Sequence, residues 1–156
     1  SMLKVKADDE RRIRDEAEAV KKDFPNAKET ESGLKYIIRN EGAGSKPQSG
    51  SVLKVKYKGK FLLSEKIFVS TGAEGKPDDA DSADIFEYTL GVSKINPGID
   101  ETFADMKAGE KRTVVVPSDM AYGVSGFYGK SVPGKKRFVI SPHTSLVYEI
   151  EVLEVK

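Results

Sequence analysis

Apolar and basic residues alternate within positions 52–63. Lysines hold positions 54, 56, 58 and 60, and the odd positions hold Leu53, Val55, Tyr57, Phe61 and Leu63. A period of two places the two sets on opposite faces of one β-strand. Such a strand belongs to an antiparallel sheet, because parallel strands are covered on both faces and are apolar throughout. We expect solvent against the lysine face, with an anionic partner as the alternative.

The remaining segments predict more strands around a single well-delimited helix. Phe86, Tyr88 and Leu90 alternate up to Gly91, and residues 112–116 and 146–155 are further strand candidates. The helix has Asn96 as its N-cap, Pro97 at the first position, an apolar face of Ile99, Phe103 and Met106, and Gly109 as its stop. A helix of about three turns covers one sheet. The fold class is therefore α+β, with an antiparallel sheet wrapped on one short helix.

The first part of the chain has a different character. Residues 8–24 are densely charged, and Ile13, Ala17 and Val20 form only a thin apolar stripe at helical spacing. A helix with so little apolar surface draws little stability from packing. We therefore expect a solvated helix leading into the domain, with a docking or dimerising helix as the alternative. The predicted organisation is a charged helix and linker at 1–31 and one domain at 32–156.

Composition narrows the chemistry. The formal net charge of +1 comes from 26 basic and 25 acidic residues, so no overall field favours nucleic acid. The chain has no cysteine, and His143 is its only histidine, which excludes disulfides, thiolate zinc sites, cysteine nucleophiles and a histidine pair for a metal. We expect no metal and no cofactor.

The sequence says little about the compartment. No apolar run approaches the ~20 residues of a membrane span, so we expect no membrane association. An absence of cysteine suits the cytosol and the secretory pathway alike. Ser1 and Met2 look like a cloning remnant, so a targeting segment could have been removed ahead of them. The cytoplasm is favoured and the secretory pathway stays open.

Two segments are rich in turn residues and charge. Ala73 to Asp84 carries five acidic residues, and Lys130 to Arg137 carries four basic ones. Neither shows a periodic pattern, so both are predicted to be exposed loops. They are either two independent solubilising loops or an electrostatic lid over one cleft.

Three short segments, taken together in their order and spacing, carry a resemblance to a known family. They are residues 55–59 (Val-Lys-Tyr-Lys-Gly), residues 119–123 (Asp-Met-Ala-Tyr-Gly) and residues 142–148 (Pro-His-Thr-Ser-Leu-Val-Tyr). They resemble the signature segments of the FK506-binding-protein (FKBP) family of peptidyl-prolyl cis/trans isomerases, over roughly residues 32–156. The resemblance implies a twisted antiparallel sheet half-wrapped around one short helix.

The resemblance also implies a site. The catalytic positions would be Tyr57, Phe68, Tyr122 and Tyr148, and the substrate-binding positions would be Phe86, Ile95, Asn96, Ile99, Phe127 and Ile140. In the family, the tyrosine matched by Tyr122 donates its hydroxyl to a ligand carbonyl, and the backbone N–H at the position of Asn96 serves a second carbonyl. The implied partners are proline-containing peptides, unfolded proteins and FK506- or rapamycin-type macrolides.

Two departures from the family pattern bear on function. Val69 stands where the family usually has an aspartate, and Ile99 stands where tryptophan is common. These changes imply weaker macrolide binding first and slower isomerisation second. The leading function is an isomerase that assists protein folding. A non-catalytic peptide-binding or chaperone module on the same fold is the alternative, and an interaction domain that uses the two charged loops is a third.

Overall fold

The structure is a computed structural model that describes residues 2–70, 85–128 and 139–156. The two segments predicted as charged loops, Ala73 to Asp84 and Lys130 to Arg137, lie outside these residues, and so does the choice between independent loops and a lid. Within the three described ranges, no helix is both long enough and apolar enough to cross a bilayer.

The described chain begins with a long helix and continues mainly as strands. In order, the elements are α1 (Met2–Asp23), β1 (Lys28–Glu29), β2 (Lys35–Ala43), β3 (Val52–Phe61), β4 (Ile67–Ser70), β5 (Phe86–Thr89), α2 (Pro97–Asp105), β6 (Ala108–Val116), a 3-10 turn (Ser118–Met120), β7 (Phe127–Tyr128), β8 (Val139–Ile140) and β9 (Leu146–Val155). Sheet pairing starts at β1, which precedes the domain boundary predicted at residue 32.

The main sheet is antiparallel, as the alternation in β3 predicts. Its strand order is β1-β2-β6-β9-β3-β4. The outer edge of β3 has two partners, because its first half pairs with β5 and its second half pairs with β4. The last strand in the sequence, β9, therefore lies between β6 and β3 in the middle of the sheet. Strands β7 and β8 form a separate pair. This arrangement confirms the predicted α+β class.

The inner face of the sheet holds the core, and α2 packs on it. This core combines buried apolar side chains of the strands with Ile99 and Phe103 of α2; those of the strands include Leu53, Val55, Tyr88, Val114, Val116, Leu146 and Ile150. Asn96 caps α2 as predicted, because its side-chain oxygen accepts the N–H of Ile99 at 2.9 Å. The helix ends at Asp105, earlier than the predicted stop at Gly109, because Met106 is already extended and β6 begins at Ala108.

Strand β3 is shorter than the alternation suggests. It ends at Phe61, where a tight turn begins: the N–H of Glu65 donates to the carbonyl of Phe61 at 3.0 Å, and the N–H of Phe61 donates to the carbonyl of Lys66 at 3.0 Å. Leu63, which the pattern places in the strand, is therefore an exposed turn residue.

The lysine row of β3 faces acidic residues of the same sheet. Lys54, Lys56 and Lys58 lie opposite Glu154, Glu151 and Glu149 of β9 in the pairing register. The ammonium of Lys54 is 3.5 Å from the carboxylate of Glu154. Each exposed ion pair contributes only ~0 to 1 kcal/mol to stability, so these charges do more to specify the pairing register of the strands than to stabilise the sheet. Within the protein, Lys54 and Lys60 of this row have acidic partners, Glu154 and Glu65.

The prediction that α1 is a solvated lead-in is wrong. Ala19, Val20 and Phe24 pack on a small outer-face cluster made of Leu62, Val115 and Val147. Glu16 is buried, and its carboxylate accepts the backbone N–H of Ser145 at 2.9 Å. The Arg12 guanidinium donates to the carbonyl of Pro142. The docking alternative fits this helix, although only Val20 of the predicted stripe packs on the cluster and Ile13 stays exposed.

Candidate functional site

The candidate site lies on the inner face, where the rings of three strands converge. Tyr57 is on β3, Phe68 on β4 and Tyr148 on β9, and Gly59 is the register partner of both Val69 and Tyr148. A Cβ added at Gly59 would lie 2.6 Å from Cζ of Phe68 and 2.9 Å from Cε1 of Tyr148. Glycine at this position is therefore what lets the rings approach each other across the strand.

The rings form a connected series. Tyr148 lies 6.2 Å from Tyr57 and 5.7 Å from Phe68, measured between ring centroids. Tyr57 meets Phe86 edge-on at 6.2 Å. These separations are those of favourable aromatic pairs. Phe86 is 38% exposed, whereas Tyr148 is almost fully buried, so the series runs from a rim to a floor.

A loop after β6 supplies the opposite side of the site. Tyr122 and Phe127 lie 5.1 Å apart between ring centroids, and Phe127 pairs with Ile140 across β7 and β8. The loop is held by backbone bonds: the N–H of Gly126 donates to the carbonyl of Tyr122 at 3.0 Å. Gly126 has a φ of 68°, and a Cβ there would lie 2.4 Å from the carbonyl oxygen of Ile140, so this turn requires glycine.

The N-terminus of α2 closes the floor. Asn96 is buried, and its side-chain nitrogen donates to the hydroxyl of Tyr148 at 3.1 Å. Burial is the main cause of the raised pKa of the Tyr122 hydroxyl, and the neighbouring Asn96 and Tyr148 side chains lower that pKa in part. Ile99 lies beneath, fully buried. A helix cap and a strand residue therefore meet at one polar point among the aromatic rings.

The hydroxyls of the site are neutral groups. Burial raises the pKa of Tyr57, of Tyr122 and, most strongly, of Tyr148 above the ordinary value for tyrosine. None of the three ionises near neutral pH, so none supplies a general base there. Their chemistry is hydrogen bonding and apolar contact.

An acidic residue that the sequence reasoning left out of the site anchors its edge. Asp100 accepts the hydroxyl of Tyr88 at 2.7 Å and the backbone N–H of Ile95 at 3.0 Å with the same oxygen. These bonds fix the chain entering α2, where Ile95 and Asn96 are predicted to bind substrate. The signal in the sequence was an acidic residue in the first turn of a capped helix, which is usually assigned only to the helix dipole.

The structure brings all ten predicted residues to one place. The inner core cluster includes four of them, Phe68, Ile99, Ile140 and Tyr148, and three more pack against it, Tyr57, Ile95 and Tyr122. Ring contacts join Phe86 to Tyr57 and Phe127 to Tyr122. A hydrogen bond joins Asn96 to Tyr148. Their roles in catalysis and binding stay predictions.

Comparisons with known proteins agree on one family. The family profile described as FKBP-type peptidyl-prolyl cis-trans isomerase matches residues 43–153. The peptidyl-prolyl cis-trans isomerase FPR2 of Saccharomyces cerevisiae is 35% identical over 81% of this chain and 81% of its own length. The FKBP-type 22 kDa peptidyl-prolyl cis-trans isomerase of Escherichia coli is 34% identical over 89% of this chain and 60% of its own length.

Solved structures give the same result. The crystal structure of FkpA from Escherichia coli has a TM-score of 0.70 and 28% identity, covering 99% of this chain and 62% of that chain. An isomerase structure from Pseudomonas syringae has a TM-score of 0.68 at 28% identity, covering 94% of this chain and 95% of the other. The chain thus corresponds to nearly all of one solved relative and to part of the other.

Proposed function

The chain belongs to the family of FKBP-type peptidyl-prolyl cis-trans isomerases, and on that premise we propose that the aromatic site on the inner face is where it turns X-Pro bonds. The activity assists protein folding, in which prolyl isomerisation is a slow step. The observation that carries the proposal is the connected series of rings from the exposed Phe86 to the buried Tyr148. A non-catalytic peptide-binding module is not favoured, because the relatives are named as isomerases.

The barrier to be lowered is amide resonance. Rotation about an X-Pro bond crosses ~20 kcal/mol, which corresponds to tens to hundreds of seconds without catalysis. The planar amide is strongly dipolar, and much of that charge separation is lost in the twisted form. A water-poor aromatic wall therefore disfavours the planar form relative to the twisted one. Tyr57, Phe68 and Tyr148 supply this wall in the proposed site.

Hydrogen bonding adds a smaller contribution. A neutral hydrogen bond from the Tyr122 hydroxyl to a substrate carbonyl contributes on the order of 1 kcal/mol. Each ~1.4 kcal/mol changes the rate about tenfold, so one such bond gives roughly fivefold. Most of a large acceleration must then come from the shape and dryness of the ring-lined site.

The substrates we propose are proline-containing segments of unfolded chains. The rim formed by Phe86 and Phe127 is half-open, which suits an extended peptide entering from one side. FK506-type macrolides are the second ligand class, with affinity weakened by Val69, which offers a methyl group where the family usually offers a carboxylate. Ile99 at the floor also lacks the aromatic ring of the tryptophan that is common in the family.

The test uses rim residues whose loss leaves the core intact. Phe86→Ala and Phe127→Ala remove side chains that are 38% and 39% exposed, and Leu153→Ala removes one that is 38% exposed outside the aromatic site. Losing about 1–2 kcal/mol of apolar contact should lower kcat/KM on an X-Pro peptide by roughly fivefold to thirtyfold in each phenylalanine variant. The leucine variant should match wild type in the same protease-coupled assay. Unchanged turnover in both phenylalanine variants would place the site elsewhere.

A further inference from the structure

Residues 142–145, here called the connector, lie between β8 and β9 and contact the loop after β6. The backbone N–H of His143 donates to the carbonyl of Gly123 at 3.0 Å. A Cβ added at Gly126 would lie 3.1 Å from the backbone nitrogen of Pro142, so the two backbones are also close at that point. The connector therefore supports both ends of the turn that separates the two aromatic rings of this loop.

Two side chains of α1 bind the connector from the outer face. The Arg12 guanidinium donates to the carbonyl of Pro142 at 2.5 Å and lies 3.5 Å from the hydroxyl oxygen of Thr144. The Glu16 carboxylate accepts the backbone N–H of Ser145 at 2.9 Å. Residues four apart share one face of a helix, so both groups reach the connector together. Three of its four residues therefore contact α1, and the fourth is bonded to the loop after β6.

These polar contacts are shielded and separate from the apolar contact that docks α1. Arg12 also donates to the carboxylate of Asp9 at 3.0 Å, and the two side chains are only 25% and 22% exposed. Glu16 is buried. Hydrogen bonds that involve an ionised group are stronger than neutral ones, so they fix the position of a backbone well. The apolar contact lies further along the chain, at Val20 and Phe24.

The backbone of the connector is in a conformation that needs such support. His143 has a φ of 57°, in the left-handed region, which a residue other than glycine keeps only where its surroundings impose it. The contacts on either side of it are those of Pro142 and Thr144 with Arg12. Loss of these contacts should let the connector relax, and the loop bonded to His143 should then shift with it.

We propose that Arg12 and Glu16 are positioning residues for the isomerase site. They fix the connector, and the connector fixes the loop that carries Tyr122 and Phe127. The long helix on the outer face thus acts on a site on the inner face without touching substrate. The inference rests on the proposed function, because it concerns the placement of a loop of that site.

The first experiment measures turnover of an X-Pro peptide. Arg12→Met and Glu16→Leu each remove the polar contact and keep an apolar side chain at the position. Each should lower kcat/KM by about threefold to tenfold, because small displacements of a site from its productive geometry lower the rate steeply. Arg12→Lys keeps a donor and Glu16→Gln keeps an acceptor for the same backbone atoms, so each should be more active than its apolar counterpart.

The matched control is Val20→Ala on the same helix. This variant weakens the apolar contact of α1 and leaves both polar side chains in place. It should lower the midpoint of urea unfolding and leave kcat/KM at the wild-type value. The comparison separates a loss of stability from a loss of loop placement.

Amide hydrogen exchange measured by NMR tests the coupling without a substrate. Arg12→Met should speed exchange at the N–H groups of His143 and Gly126 at least tenfold more than at Ile150, which lies in the central strand β9. A purely structural role of Arg12 would instead lower the global stability and speed exchange at all three positions together.

The inference is overturned if Arg12→Met and Glu16→Leu keep the wild-type kcat/KM, or if Val20→Ala loses as much activity as they do. It is also overturned if exchange at His143 changes no more than at Ile150. The proposed function fails by a different result, namely unchanged turnover in both Phe86→Ala and Phe127→Ala. The inference alone fails when those two variants lose activity and the two apolar variants of α1 do not.

Discussion

Val147 offers the most direct test of the docked N-terminal helix. Its side chain is 1% exposed on the outer face, in the cluster covered by Val20 of α1 and by Phe24, the residue after that helix. Val114, in the neighbouring strand, is fully buried on the inner face, away from α1. Changing either valine to alanine removes the same atoms, so the two substitutions differ only in what covers the site.

The expected magnitudes follow from the burial. Each Val→Ala change removes two buried methyl groups, at ~0.8 kcal/mol each, and the cavity that remains adds a little more, giving roughly 2 kcal/mol. A background carrying Val20→Asp and Phe24→Asp places two charges against an apolar patch and should undock α1. Val147 is then exposed, so its truncation should cost less than about 0.5 kcal/mol. The cost at Val114 should stay near roughly 2 kcal/mol in both backgrounds.

Urea unfolding followed by circular dichroism measures all four differences, with the midpoint and slope giving the free energy of unfolding. Val114 is the internal control, because a loss of its effect would mean that the two aspartates had disturbed the inner core as well. The reasoning is refuted if Val147→Ala costs the same roughly 2 kcal/mol in the undocked background, since α1 would then not be what buries that valine.

Three further predictions concern single residues. Burial raises the pKa of Glu16, so its ionised form is disfavoured in the folded protein. Glu16→Gln should therefore be more stable than wild type at pH 7. Urea midpoints of the two proteins, measured across a range of pH, should become equal below the ordinary glutamate pKa of 4.5. Val69→Asp should tighten FK506-type binding in calorimetry, and tighter binding by wild type would contradict the role assigned to that position. Gly59→Ala should force Phe68 and Tyr148 apart and lower kcat/KM at least tenfold, and equal activity in a folded variant would exclude this packing requirement.

The sequence predicts the inner half of the molecule well because its signals are local. Alternation in β3 requires only the period of a strand, and Asn96 followed by Pro97 marks a helix start within a few residues. The ten site positions came from matching motifs to a family, and the structure brings them together. The hydrogen bond between Asn96 and Tyr148 joins residues far apart in the chain, so no local pattern contains it.

The packing of α1 on the outer face was harder to predict, although the strands contain one signal that this face is covered. Residues 114–116 are three consecutive valines, and residues 146–148 are also apolar without alternation. Such runs indicate strands covered on both faces at that point. The cover is α1, whose stripe is too thin to predict docking by itself; only the combination of the two weak signals would have done so. The buried ion pair of Glu110 and Arg112 has no comparable signal, because both look like ordinary surface charges in β6.

The central place of β9 has a consequence for biosynthesis. A ribosome makes this strand after every other strand of the sheet, yet β3 and β6 have no direct pairing with each other and meet only through it. Until β9 emerges, the nascent chain can hold at most two separate partial sheets with unpaired inner edges, which is the kind of surface that other chains bind. Tyr148 arrives with that strand. A newly made molecule therefore acquires the aromatic wall of the proposed site only in the step that joins its two partial sheets.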